Sequence, residues 1–121
     1  MGLFGKLFQK PTPPSSKPEH AVIVHLKLSD NQSGTKDERD RLFKLEDKLL
    51  AAFTDSRAGE YDGNEFGEGE FVFYMYGPNA DALFSVAEPI LRASELSKGG
   101  HVIKRYGKAG DPQAKETRID F

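Results

Sequence analysis

The chain has 121 residues, of which 37% are hydrophobic and 30% charged, and its formal net charge is -2; this is the size of one ordinary domain. So balanced a charge gives no general argument for nucleic acid or an anionic membrane as partner. Cysteine is absent, which excludes disulfides, thiolate metal sites and cysteine nucleophiles. No apolar run approaches the ~18 residues that read as a membrane span, and Gly2 to Phe8 is too short for the core of a secretory signal, so the expected location is the cytoplasm.

The N-terminal stretch divides in two. Leu3, Phe4, Leu7 and Phe8 would form one apolar stripe on a helix, beside Lys6 and Lys10, a pattern suited to a membrane surface or a partner groove. Two turns are too short to hold a helix in water, so fraying is the expectation. Gly2 does not meet the myristoylation pattern, because Lys6 stands where Ser or Thr is required. Lys10 to Pro18 carries four prolines and reads as an extended linker. Residues 1–19 are therefore expected to be an extension, and residues 20–121 one folded domain.

Ala21 to Leu28 predicts a strand with Val22, Val24, Leu26 and Leu28 on its core face. After a loop from Ser29 to Gly34, Thr35 and Glu38 have capping-box spacing. The helix that follows buries Leu42, Leu45, Leu49 and Phe53, with Leu50 alongside, and turns Arg39, Arg41, Lys44, Glu46, Asp47 and Lys48 outward. Glu60 to Phe66 is a weaker strand, and Gly67-Glu-Gly69 a hairpin turn. Glu70 to Tyr76 is aromatic and β-branched throughout and predicts a central strand. Phe71, Phe73 and Met75 face its core, while Val72, Tyr74 and Tyr76 face the other way. Asn79 caps a second helix with Leu83, Val86 and Ile90 as its inner stripe, helped by Ala82, Ala87 and Leu91; Pro89 predicts a kink. His101 to Tyr106 is a further strand, and Glu116 to Phe121 an edge strand pairing back. The order predicts an α+β, ferredoxin-like βαββαβ sandwich: an antiparallel sheet with two helices on one face and an extra C-terminal strand.

Chemistry is sparse. Glu60, Asp62, Glu65, Glu68 and Glu70 cluster without a cation, but their spacing does not reproduce a calcium loop, and alternate acids on a regular strand face opposite ways. His20, His25 and His101 match no zinc spacing; His25 and His101 meet if the first and last strands of the fold are neighbours. No nucleophile elbow or phosphate loop is present. Basic residues gather late, at Lys98, Lys104, Arg105 and Lys108 with Tyr106 beside them, and Tyr74 and Tyr76 offer stacking surfaces of the kind single-strand binders use. The negative net charge speaks against nucleic acid, and no cofactor is called for.

Four segments, Asp37-Glu-Arg-Asp-Arg-Leu42, Gly59-Glu-Tyr-Asp-Gly-Asn-Glu-Phe66, Tyr76-Gly-Pro-Asn-Ala-Asp-Ala-Leu-Phe84 and Glu88-Pro-Ile-Leu91, resemble the family of B-type regulators of ribonuclease E activity across residues 20 to 121. The resemblance implies a ferredoxin-like sandwich, a bacterial source, and a protein that binds and inhibits a ribonuclease without doing chemistry. The chain departs from the well-known members in lacking a long acidic C-terminal tail and in carrying its Phe- and Pro-containing N-terminal stretch. If the family's activity carries over, Tyr61, Asp62, Asn64 and Glu65 hold the most distinctive matched stretch, although Asp62-Gly63 also reads as a turn. Tyr74 and Tyr76 complete the candidate binding residues. The expected function is a non-catalytic, regulatory protein-binding domain, with a homodimer left open; the alternatives are a small enzyme or metal-binding domain using the acidic hairpin and histidines, and an RNA-binding domain. Limited proteolysis is expected to remove residues 1–18 and leave a core with an unchanged melting temperature; unfolding of the cleaved product would place the boundary elsewhere.

Overall fold

The computed structural model describes residues 19–121; the expected Leu3–Phe8 stripe and proline-rich linker lie outside them. Five strands and two helices follow one another as β1 (His20–Lys27), α1 (Lys36–Asp55), β2 (Glu60–Gly67), β3 (Glu70–Gly77), α2 (Ala80–Arg92), a short 3₁₀ turn (Glu95–Ser97), β4 (His101–Arg105) and β5 (Glu116–Asp120). The strands form one sheet in the order β2-β3-β1-β4-β5, antiparallel at every junction.

β1 lies at the centre, pairing with β3 on one side and β4 on the other. Its Val22, Val24 and Leu26 stand opposite Met75, Phe73 and Phe71, and all six are fully buried. These alternate residues make one continuous cluster with Leu42, Leu45, Leu49 and Phe53 of α1 and Leu83, Phe84, Ala87 and Leu91 of α2. Both helices thus bury their apolar stripes on the same set of strand positions, where apolar area removed from water stabilises most. Leu28, just past β1, closes the end of the core.

α1 starts as the capping box predicts. Glu38 N–H donates to Thr35 Oγ1 at 3.1 Å, and Thr35 N–H to Glu38 Oε1 at 2.8 Å. The same carboxylate accepts from the Ser29 hydroxyl and backbone N–H at 2.6 and 2.9 Å, tying the preceding loop to the helix. The Ser29 hydroxyl bond, then that from Thr35 N–H, hold the Glu38 carboxyl below the usual carboxylate range. Leu50 is 47% exposed, since it falls off the 3.6-residue stripe that Leu42, Leu45, Leu49 and Phe53 define.

The inner stripe of α2 differs from the expected one. Leu83, Phe84, Ala87 and Leu91 are buried, whereas Val86 and Ile90 are only half-buried. Steps of three and four from Ala80 through Leu83, Phe84 and Ala87 to Leu91 keep one face toward the sheet; Val86 and Ile90 fall on its flank. The helix runs through Pro89 to Arg92.

The β2–β3 hairpin turns at Glu68-Gly69, both with positive φ (52° and 84°), as a two-residue mirror-image turn requires. At the other end of these strands the backbones of Ala58–Gly59 and Tyr76–Gly77 touch. A Cβ on Gly77 would lie 2.3 Å from the Ala58 carbonyl oxygen and 3.0 Å from Leu83. Gly77→Ala should therefore lower the unfolding free energy by about 1–3 kcal/mol in urea titrations; a neutral result would show that this contact yields without cost.

Candidate functional site

Among the described residues both helices join the core cluster on one side of the sheet, which leaves the alternate strand positions on the other side. They form three rows across the sheet. The middle row is Gly63, Tyr74, Ile23, Ile103 and Arg118; the second is Glu65, Val72, His25, His101 and Asp120; the third is Glu60, Tyr76, Ala21, Arg105 and Glu116. Ile23, Ile103, Tyr74 and Tyr76 are half-buried, and Val72 and Ala21 are covered by their neighbours. An apolar and aromatic centre is thus ringed by charge. In these rows the acids Glu60, Glu65, Glu116 and Asp120 outnumber the cations Arg105 and Arg118, and one further pair, Glu70 with Lys27, lies just beyond them.

A β-bulge decides which candidate residues reach this face. The register of β2 on β3 shifts between Tyr61 and Gly63, so Asp62-Gly63 lies inside the strand as a bulge and not at a turn. In an unbroken strand Tyr61 and Asn64, three apart, would point to opposite sides. The extra residue puts both on the core side, opposite Met75 and Phe73. There both side chains reach one carboxylate oxygen: the Tyr61 hydroxyl and the Asn64 amide (2.7 Å) donate to Glu46 Oε2 on α1. By the same reset Glu60 and Glu65 come to share the outer face, contrary to the expectation that the acids of this strand divide between the two sides.

The expected binding stretch is therefore split. Tyr61 and Asn64 clamp the hairpin to α1. Glu65 lies on the outer face, where it accepts the Tyr74 hydroxyl. Tyr76 stands in the next row, and Asp62 occupies the bulge itself. Burial, and then the hydrogen bond to an acidic partner, push the Tyr61 and Tyr74 hydroxyls above the ordinary tyrosine range; burial does the same for Tyr76. Glu46 was expected to point outward, and the structure turns it to the hairpin. The signal available in the sequence is its position four residues after Leu42 and three before Leu49, on the edge of the buried stripe. Ile23 and Ile103, at the centre of the outer face, were not singled out at all, because each sits among core-forming strand residues.

The histidines are spoken for. His20 Nδ1 accepts from Ala80 N–H at 3.0 Å, at the start of α2. His25 and His101 are register partners whose rings stack with centroids 4.6 Å apart, and His25 Nδ1 lies 3.1 Å from Glu70 Oε1. Burial, and then the neighbouring His25, lower the pKa of His101. Among the described residues no three His, Asp or Glu side chains converge on one point in a metal-holding group. The late basic stretch does not form one patch. Lys104 lies on the core side of the sheet and pairs with Asp81 at 2.9 Å, sharing that carboxylate with the Tyr106 hydroxyl at 2.6 Å, while Arg105 lies on the outer face and donates to the Gly107 carbonyl. Among the described residues no helix is long and apolar enough to cross a membrane.

No family model, curated protein or solved structure matches the chain.

The Glu46 clamp makes a stability prediction with a pH signature. Tyr61 binds its proton more tightly folded than unfolded. Its contribution is therefore complete below the unfolded tyrosine pKa of about 10 and is lost as pH rises above it. Tyr61→Phe should cost roughly 2 kcal/mol at pH 7 and flatten the loss of stability in urea melts above pH about 10; equal slopes for the two proteins would remove Tyr61 from that account.

Proposed function

We propose that this is a non-catalytic regulatory domain of the ferredoxin-like kind that docks a protein partner on the outer face of its sheet. The fold reading is supported by the spatial order β2-β3-β1-β4 with two intervening helices in the core cluster, β5 being an addition at the edge. The observation that carries the functional reading is the half-buried middle row, where Tyr74, Ile23 and Ile103 stand side by side inside a rim of charge and, among the described residues, no helix packs over them. Interfaces are built this way, with aromatic and aliphatic anchors at the centre and polar groups around them. The polar groups that would have to supply chemistry are engaged in holding elements together: Tyr61 and Asn64 on Glu46, His20 on the α2 backbone. A ribonuclease is the first partner to test, on the strength of the family resemblance in the sequence, and the cytoplasm is the compartment in which to seek it.

RNA is the competing ligand for an aromatic sheet face. The excess of carboxylates among the outer rows favours protein over phosphate, because nucleic-acid affinity rests mainly on neutralising phosphates with cations. The test compares the full chain with a Tyr74→Ala/Ile103→Glu variant of matched circular dichroism. Affinity capture followed by mass spectrometry should recover a discrete partner with the first and lose it with the second, and purified ribonuclease should slow in the presence of the first only. Recovery of the same proteins by both would sink the sheet-face assignment, and steep salt-dependent RNA binding would replace it with the nucleic-acid reading.

A further inference from the structure

On the side of the molecule away from the open sheet face, α1 and α2 leave a groove of about 460 Å³ between them, within the range of about 300–1,000 Å³ typical of ligand-binding clefts. Its lining combines buried Leu45 and half-buried Ile90 and Leu96 with exposed Pro89, Arg41, Lys44 and Lys48, and among the described residues it holds no acid. In a chain of net charge -2 this is a local concentration of positive charge.

The three cations stand at i, i+3 and i+7 along α1 and so run as one row beside the groove, about 10 Å from first to last at 1.5 Å per residue. Arg41 is held by exposed Asp37 at 3.2 Å. Lys44 feels Asp40 only through space, and all three side chains are exposed. Lys36 pairs with Asp40 one turn along the same helix. Lys44 also stands one turn from Asp40 and from Asp47, yet among the described residues neither Lys44 nor Lys48 makes an ion pair, and both border half-buried Ile90 and Leu96.

We infer that this groove takes an acidic amphipathic peptide segment of a partner, laying its apolar residues on Leu45, Ile90 and Leu96 and its carboxylates along the Arg41-Lys44-Lys48 row. Charge complementarity selects the occupant. A row of cations at helical spacing matches Glu or Asp at the same spacing on a helix lying alongside, and the apolar side chains of the lining match the other face of that helix. Nucleic acid would use the cations and gain nothing from the apolar side chains. The chain's own segment around Leu3 to Phe8 carries Lys6 and Lys10 and would meet like charge. The inference goes beyond the sheet-face reading and stands or falls without it.

The test measures fluorescence anisotropy of a labelled synthetic amphipathic peptide, leucines recurring every three to four residues with glutamates between them, against the full chain. The companion probe is the same peptide with every glutamate changed to lysine. The acidic peptide should bind, weaken as salt rises, and lose about tenfold or more in affinity to a Lys44→Glu/Lys48→Glu variant, whose exposed substitutions leave circular dichroism unchanged. The lysine peptide should not bind the wild-type chain. Equal binding of the two peptides, binding of neither, or unchanged affinity in the variant would overturn the inference. So would phosphatidylserine vesicles bound in preference to the peptide, or concentration-dependent dimerisation that the double variant abolishes.

Discussion

A sheet that shares its core with helices through only one set of alternate positions must keep that alternation in step across every strand. Here β1 and β3 set the phase: Val22, Val24 and Leu26 against Met75, Phe73 and Phe71, with no break in register over eight residue pairs. A slip of one residue in β1 would exchange its side chains for Ile23 and His25, and a slip in β3 for Val72 and Tyr74, placing a histidine or a tyrosine under the helices. The cost of burying such groups without partners is what locks the register, and the composition of the outer face follows from it.

β2 keeps step with its neighbours only by breaking its own regularity. One bulge at Asp62-Gly63 brings Tyr61 and Asn64 to the same side, where they share the Glu46 carboxylate, and brings Glu60 and Glu65 to the other. The stretch from Gly59 to Phe66 therefore does two jobs on two surfaces. Part of it fixes the hairpin to α1, and part of it sets the acidic rim beside Tyr74. Residues that look alike in a row of the sequence are separated by the thickness of the sheet.

Much of this was legible in the sequence because it depends on neighbours a few residues away. The alternation of β1 and β3, the capping box at Thr35 and Glu38, the turn at Gly67-Glu-Gly69 and the edge strand from Glu116 all follow from local period and local chemistry. What was not legible depends on partners distant along the chain. Asp62-Gly63 has the composition of a turn, and only the register against β3 makes it a bulge. Glu46 looks like any polar residue on the flank of a helix until Tyr61 and Asn64 are placed beneath it. In α2, Val86 and Ile90 are more apolar than Ala80 and Ala87, yet it is Ala80 and Ala87 that fall in line with Leu83, Phe84 and Leu91 on the buried face. His25 and His101 meet only once β4 is laid beside β1. Of the candidate binding residues, the sequence pattern identified Tyr74 and Tyr76 as outward-facing from the period of β3 alone, and it had no means of adding Ile23 and Ile103.

The place of β1 in the strand order has a temporal side. The earliest strand of the described chain is flanked by β3 and β4, so one of its edges waits for a segment some eighty positions later. During synthesis at the ribosome, β1, β3 and the helix between them can associate first, while the other edge of β1 stays bare until Arg105 has emerged. That interval leaves a row of unanswered backbone amides and carbonyls, with β-branched Val22, Ile23 and Val24 beside them, available to a neighbouring nascent chain or to a chaperone. A pause in translation between α2 and β4 would lengthen the time for which that edge of β1 stands unpaired.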